Sequence, residues 1–409
     1  MDWLTIIFLI YTFIAIYFLS LYLLIYSPHR KEFFSYPKPK RIYPISIVVP
    51  CYNEESTIKN TIEKLINLNY AGLKKIVVVD DCSTDNSYKI IKSCAKKYSI
   101  VKVVQTPSNT GNAAGAKNYG AKFVETELIG FIDADSYPSK NSLQKMVGFF
   151  DNPKTGAVTP VILVKNRNTL IEKLQAIEYK IIAFTRKLLN FVEAIYVTPG
   201  PLALYRKSIF DELGGFDEKN LTEDIEITWH LISKGYTVQM SLMPKVYTIA
   251  PKKFKAWFKQ RIRWNFGGLQ SIVKYKKNFL KGGMLGSFVL PFFVLSWGIG
   301  IFGLGILVYR IVRIVALRYL STFYSVKAQT AILRLQDINL IPNLLVFFGI
   351  TLLIFSSIFT FFALKKIKEE EFKKHGLLYI LLYMFIYLLS YPVILTTSIY
   401  KYLRGKKEW

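Results

Sequence analysis

The sequence predicts an α/β domain with a mostly parallel sheet, joined to an α-helical transmembrane region. Three observations carry this expectation. Residues 4–28, 282–309, 338–364 and 376–400 contain no Asp, Glu, Lys, Arg or His, and each exceeds the ~20 residues that cross a bilayer. Between the first two of these, over residues 40–280, short apolar runs alternate with helical-period stretches. The chain is 52% hydrophobic yet carries a formal charge of +26, with a mean hydropathy of +0.27. Apolar blocks in lipid with basic blocks beside them reconcile the two figures.

The strands read 45–50, 75–80, 101–105 and 128–133, and helices follow near 55–68, 86–97, 112–126 and 140–150. Strand–helix alternation predicts the parallel sheet. Ligands of such sheets sit beyond the carboxyl ends of strands. The polar clusters Tyr52-Asn53-Glu54, Asp80-Asp81 and Asp133-Ala134-Asp135 fall at those ends. Two later stretches, 169–191 and 252–270, mix apolar residues at helical spacing with Lys and Arg. Such helices suit a membrane interface. The first could equally pack on the globular domain, whereas the second abuts a span.

The division expected is an anchor over 1–30, a globular domain with interfacial helices over 40–280, and about three C-terminal spans over 281–409. The first span reads as an anchor, because no basic segment precedes it and no small-residue cleavage site follows. Asp2 precedes it, and Arg30, Lys31, Lys38, Lys40 and Arg41 follow it. The excess of basic residues expected on cytoplasmic flanks puts the globular domain in the cytoplasm of a multi-pass cell-membrane protein. Four spans place the basic tail 401–409 outside, against that tendency. Residues 310–337, with Arg310, Arg313, Arg318, Lys327 and Arg334, sit as awkwardly. An interfacial or re-entrant helix there would change the count.

Cys51, Cys82 and Cys94 have no metal-ligand spacing and form no disulfide framework, so a reducing compartment is the simplest reading. The basic excess comes without zinc spacing or a recognition-helix motif, so no nucleic-acid partner is expected.

Four motifs carry chemistry. Asp133 and Asp135 offer hard oxygens for a divalent cation that would bind a diphosphate, although D-x-D alone reads as well as a solvated turn. In Asp80-Asp81-Cys82-Ser83-Thr84-Asp85, Asp85 reads as a helix N-cap, while Asp80 or Asp81 could accept from a nucleotide. Thr222-Glu223-Asp224 reads either as a capping cluster or as the general base for an acceptor hydroxyl. In Gln260-Arg261-Ile262-Arg263-Trp264, Arg263 could clamp a phosphate and Trp264 stack on a sugar. Snorkelling explains Arg and Trp there, but not Gln260.

Together, in this order, the motifs resemble those of the family 2 inverting glycosyltransferases of GT-A fold, a Rossmann-like architecture. The likeness is to the membrane-integrated group of poly-N-acetylglucosamine, hyaluronan and cellulose synthases, and it covers roughly residues 44–275. It includes Pro50-Cys51-Tyr52-Asn53-Glu54-Glu55 and Val197-Thr198-Pro199-Gly200-Pro201 with Tyr205-Arg206. The resemblance implies that Asp81 and the Pro50, Tyr52 and Glu54 loop hold the nucleotide, expected to be UDP. It places Asp133 and Asp135 on the diphosphate and on Mg2+ or Mn2+, with Asp224, beside Glu223, as catalytic base. Gln260 and Arg263 would close over the diphosphate, with Trp264 and Gly200 at the acceptor. Lys117 departs from the family's G-K-A-x-A-L-N stretch, standing later in Gly111-Asn112-Ala113-Ala114-Gly115-Ala116-Lys117-Asn118, and is a candidate diphosphate contact. Pro199-Gly200-Pro201 also departs from the Ser-Gly or Gly-Ser of some synthases.

The function implied is sugar transfer from a nucleotide donor to a hydroxyl of a growing polysaccharide, with or without translocation of the chain. The alternative is a single transfer to a lipid acceptor, a polyprenyl phosphate or glycerolipid. A scaffold with a degenerate transferase domain is disfavoured by the intact carboxylates.

Overall fold

The structure is a computed structural model that describes residues 3–329, 344–369 and 376–405. Its strands are β1 (Ile45–Cys51), β2 (Leu73–Asp80), β3 (Val101–Gln105), β4 (Leu128–Phe131), β5 (Tyr137–Pro138), β6 (Thr155–Val164), β7 (Ala203–Arg206) and β8 (Thr237–Thr248). The globular helices are α2 (Ile58–Ile66), α3 (Ser87–Lys97), α4 (Ala113–Ala121), α5 (Leu170–Asn190), α6 (Lys207–Glu212), α7 (Glu223–Ser233) and α8 (Phe254–Tyr275). The long apolar helices are α1 (Trp3–His29), α9 (Leu290–Lys327) after a π-helical turn (Leu285–Val289), and α10 (Leu344–Lys366). A broken pair closes the chain, α11 (Leu377–Leu382) and α12 (Ser390–Leu403).

One sheet runs in the order β3-β2-β1-β4-β7-β6-β8-β5. The first four strands are mutually parallel, as expected, and β7 enters antiparallel between β4 and β6. The strands β1 and β2 read as unbroken apolar runs because both faces of the sheet are covered. Ile45, Ile47, Val49, Ile76 and Val78 face the side holding α2 and α3. Val48, Val77 and Val79 face the side holding α4. The chain winds from β1 outward to β3 and then returns to place β4 on the other side of β1. That switch opens a crevice at the carboxyl ends of β1 and β4, where such sheets bind ligands.

The helix expected over 140–150 is absent. The segment makes turns and a 3-10 helix, Val147–Asp151. Gly148 lies against the backbone of Pro37, whose carbonyl would be 2.0 Å from any Cβ there. A regular helix has no room beside that strap.

Four helices among the described residues are long and apolar enough to cross a membrane: Ile6–His29, Leu285–Lys327, Phe347–Lys366 and Leu377–Leu403. Residues 310–327 continue α9 as one helix, so no separate interfacial helix begins there. Arg334, the start of the span expected over 338–364 and the tail 406–409 lie outside the described residues.

The two amphipathic stretches became α5 and α8. The start of α5 is fixed by a capping box between Thr169 and Glu172, two N-terminal amides being satisfied reciprocally. The helix packs on β6 and β8 and on α1, α10 and α11. Phe184 at its centre meets Tyr26 of α1 and Phe359 and Phe362 of α10. Sheet and apolar helices therefore share one core, and α5 is a buried tie rather than a helix floating at an interface.

The second tie is ionic. Arg261 on α8 is buried and donates through Nη2 to Glu178 Oε2 on α5 at 2.5 Å. Tyr387 donates to the same carboxylate at 2.6 Å, and Tyr391 donates to its other oxygen. Three separate segments thus meet on one carboxylate. A buried pair broken on one side leaves an uncompensated charge, a loss of about 3–5 kcal/mol. Glu178→Ala is therefore expected to lower the melting temperature in detergent sharply. The double substitution Glu178→Leu with Arg261→Met should recover most of that loss.

Candidate active site

The loops after β1 and β2 are strained and tied together. Asn53 and Cys82 hold φ of 55° and 58°, left-handed values uncommon outside glycine and concentrated at functional sites. The amide of Asn53 donates to Ser83 Oγ at 3.1 Å, and that of Thr84 donates to Asn53 Oδ1 at 2.8 Å. Ser83 thus serves the loop itself. Asp85 does not sit at the N-cap: Asn86 does, without a side-chain bond. Asp85, one residue before that cap, accepts from the amides of Ser87 and Glu55.

The crevice is a cavity of about 520 Å³. Its lining includes Pro50, Tyr52, Glu54, Asp81, Lys117, Asp133, Asp135, Gly200, Glu223, Asp224, Gln260, Arg263 and Trp264, whereas Asp80, the other nucleotide candidate, is fully buried and accepts from Gln105 Nε2. Asp81 is buried, and its carboxylate accepts from Thr106 Oγ1 and from the amide and hydroxyl of Thr110. A carboxylate has about four acceptor sites, so roughly one remains for a ligand.

Lys117 joins two motifs. Its buried ammonium donates to Glu223 Oε1 at 2.8 Å and lies 3.4 Å from Asp133 Oδ1. Burial alone would lower its pKa, but the charges of Glu223, Asp133 and Asp224 outweigh burial and raise it. Glu223 is held below its usual range, because Lys117 and Arg263 overcome the cost of burial. Its neighbour Asp224 moves the other way, pushed up to about 7 by burial and then by the charge of Glu223. Two adjacent carboxylates with opposed shifts are divided into an ion-pair partner and a group able to exchange a proton near neutral pH. Nor is the cluster a simple cap: the Thr222 hydroxyl turns to Asn220 Oδ1 and caps nothing.

Asp135 is also raised to about 7, first by burial and then by the charges of Asp133 and Glu54. Such uncompensated negative charge fits a divalent cation. Among the described residues no group of three or more His, Cys, Asp or Glu forms a full ligand set. Mg2+ and ions like it need only one or two carboxylates when substrate phosphates complete the shell.

The α8 motif obeys helical geometry. Gln260, Arg263 and Trp264 share a face at i, i+3 and i+4 and line the cavity. Arg261 points away to Glu178, and its guanidinium lies 3.9 Å over the Trp264 ring. One face of Trp264 is therefore covered by the protein. Arg263 donates only to the Leu221 carbonyl, at 3.4 Å, among the bonds described.

Sequence reasoning missed the α5 wall. Tyr179, Ile182, Ala183 and Arg186, one helical stripe, also line the cavity. The signal was the i, i+3, i+4, i+7 spacing of a helix that has a second partner on its opposite face.

Comparison with known proteins agrees with this geometry. Residues 46–214 match the family model described as Glycosyl transferase family 2. It is 30% identical over 255 residues to a poly-beta-1,6-N-acetyl-D-glucosamine synthase of Staphylococcus epidermidis, covering 62% of this chain and 61% of that protein. A synthase of the same name from Staphylococcus aureus is 28% identical over 232 residues, 56% of each chain. The chain thus spans less than two thirds of the length of the curated relatives it matches. A mannosyltransferase from Pyrobaculum calidifontis, solved in complex with GDP-Man and Mn2+, has the same fold. That match covers 97% of this chain and 99% of that one, with a TM-score of 0.59 and 17% identity. The domain is of the GT-A type expected, with apolar helices attached.

Gly200 supplies a direct test of the packing. A Cβ there would lie 2.3 Å from Asp133 Oδ2. Gly200→Ala is expected to displace that carboxylate and reduce donor-dependent turnover at least tenfold, with an unchanged melting temperature. Labelled nucleotide sugar provides the readout.

Proposed function

We propose that the protein is a membrane-bound inverting glycosyltransferase, transferring a sugar from a nucleoside diphosphate donor, with UDP expected, to an acceptor hydroxyl of a growing polysaccharide. One observation carries the reading. The carboxylates of Asp133, Asp135 and Asp224 and the guanidinium of Arg263 reach one cavity from three elements of the chain. The polysaccharide acceptor is favoured by the relatives, which are polymer synthases by name.

In this reading the loop of Pro50, Tyr52 and Glu54, with the remaining acceptor site of Asp81, holds the base and ribose. Asp133 and Asp135 would hold Mg2+ or Mn2+ for binding of the diphosphate. Such a cation, when bound, neutralises charge that grows on the leaving diphosphate. Arg263 and Gln260 meet the same phosphates from α8, where a guanidinium can bind two oxygens at once. Lys117 keeps Glu223 ionised and fixes Asp133. Asp224 then takes the proton of the acceptor hydroxyl as its oxygen attacks the anomeric carbon. With one base and no second carboxylate acting as nucleophile, a single displacement inverts that carbon. Gly200 leaves room at the acceptor, and the free face of Trp264 stacks on its sugar. The apolar helices cross the cell membrane, with the globular domain on the cytoplasmic side.

Asp224→Asn is expected to reduce transfer by about 10²–10⁴-fold, the usual contribution of a general base. Nucleotide affinity, measured by calorimetry, should change less than twofold. Unchanged turnover would remove Asp224 from this role. A base acts only when deprotonated, and burial has raised this group to about 7. kcat/KM should therefore rise with pH through about 7, rather than through the ordinary carboxylate range near 4.

A further inference from the structure

Three buried hydroxyls lead to the Asp224 backbone, and the chemistry above uses none of them. Thr198, Tyr205 and Thr228 are each at most 1% exposed. The Thr198 hydroxyl lies 2.7 Å from that of Tyr205 and 2.9 Å from that of Thr228. Thr228 donates in turn to the Asp224 carbonyl at 2.6 Å. Among the bonds described, Tyr205 reaches no other acceptor, so its proton goes to Thr198. Thr198 then donates to Thr228, or to the same carbonyl 3.3 Å away. In that order each hydroxyl donates once, and no buried donor pays the cost of an unmade bond.

The hydroxyls join three parts of the site. Tyr205 stands on β7 and pairs with Ile129 of β4, the strand that leads to Asp133 and Asp135. Thr198 directly precedes Pro199, Gly200 and Pro201, which line the cavity. Asp224 and Thr228 are one turn apart on α7. The Thr198 amide also donates to the Asp224 carbonyl, at 3.4 Å, and Trp229 Nε1 donates to the Tyr196 carbonyl at 3.1 Å. The segment 196–201 is therefore pinned to α7 at two points. Among the bonds described, the Asp224 carboxylate accepts only from the amide of Ile225, at 3.0 Å. Where that carboxylate stands follows from where the backbone of α7 is held.

We propose that Thr198 is a positioning residue for the base: its hydroxyl sets the spacing between Asp224 and the Pro199-Gly200-Pro201 wall, and so between the base and the acceptor. This rests on the reading of Asp224 given above. Thr198 does not itself line the cavity, so it acts through Asp224 and the wall. Misplacing a reacting group by about 1 Å can cost ~10²-fold in rate. Thr198→Val keeps the shape of the side chain and removes the hydroxyl. The Tyr205 proton is then left without an acceptor, and wall and helix lose the bond between them. The donor, held by the loops after β1 and β2 and by α8 in the same reading, keeps its own contacts.

The test uses the full chain in detergent, a soluble chito-oligosaccharide as acceptor, and whichever of UDP-GlcNAc, UDP-glucose and GDP-mannose the wild-type protein consumes. Thr198→Val should lower kcat about tenfold or more, while the affinity for the matching nucleoside diphosphate, by calorimetry, changes less than twofold. Thr198→Ser should restore most of kcat. Made in the Asp224→Asn background, Thr198→Val should lower the residual turnover less than twofold, because a residue acting through the base has nothing left to act on. Where Thr198→Val does not fold, Thr228→Val removes the bond to the Asp224 carbonyl and serves the same comparison. Two results overturn the proposal while leaving the base reading standing: an equal loss in both backgrounds, or a Thr198→Ser protein no more active than Thr198→Val. Undiminished turnover in Asp224→Asn alone overturns the base reading and this inference with it.

Discussion

One buried carboxylate, Glu178, holds the two halves of the molecule in register. It takes the guanidinium of Arg261 from α8 and two phenols from the C-terminal helix segment. Because α8 turns about 100° per residue, fixing Arg261 on one side fixes Gln260, Arg263 and Trp264 on the other. Trp257, one turn earlier, packs against Tyr387 with the rings tilted by 41° and holds the same face. The spacing of the Gln-x-x-Arg-Trp motif is thus the spacing of a helix with one side tethered to apolar helices and the other open to substrate. Any movement of those apolar helices would be felt at the cavity wall formed by Gln260, Arg263 and Trp264.

Within the cavity the ordering principle is the division of negative charge. Six carboxylates, from Glu54, Asp81, Asp133, Asp135, Glu223 and Asp224, line one space, and a single buried ammonium cannot neutralise them all. Lys117 takes Glu223 and Asp133. Of those it leaves, Asp135 and Asp224 are pushed up to about 7. Both are thus able to take up positive charge near neutral pH.

The parallel half of the sheet was legible because its strands are buried on both faces, which leaves unbroken apolar runs such as Ile76–Val77–Val78–Val79. The candidate carboxylates were legible because they stand where such strands end. What escaped reading depends on partners far along the chain. Arg261 looked like one more basic residue on an interfacial helix, since Glu178 lies 83 residues away. Arg186 read as one more basic residue of the interfacial stretch 169–191, because a single sequence does not show that both faces of that helix are covered. The missing helix over 140–150 has the same origin, a strap at Pro37 pressing on Gly148.

The length of α9 sets a limit of another kind. Its 38 residues extend about 57 Å, against a hydrocarbon layer of about 30 Å. Leaning at 40°, near the top of the usual range, still leaves ~44 Å along the normal. Its first residue, Leu290, is buried in the core shared with the sheet. Arg310, Arg313 and Arg318 lie in its second half. Set in a bilayer, the helix can submerge only its apolar half, and the guanidiniums stand clear on the face remote from the sheet.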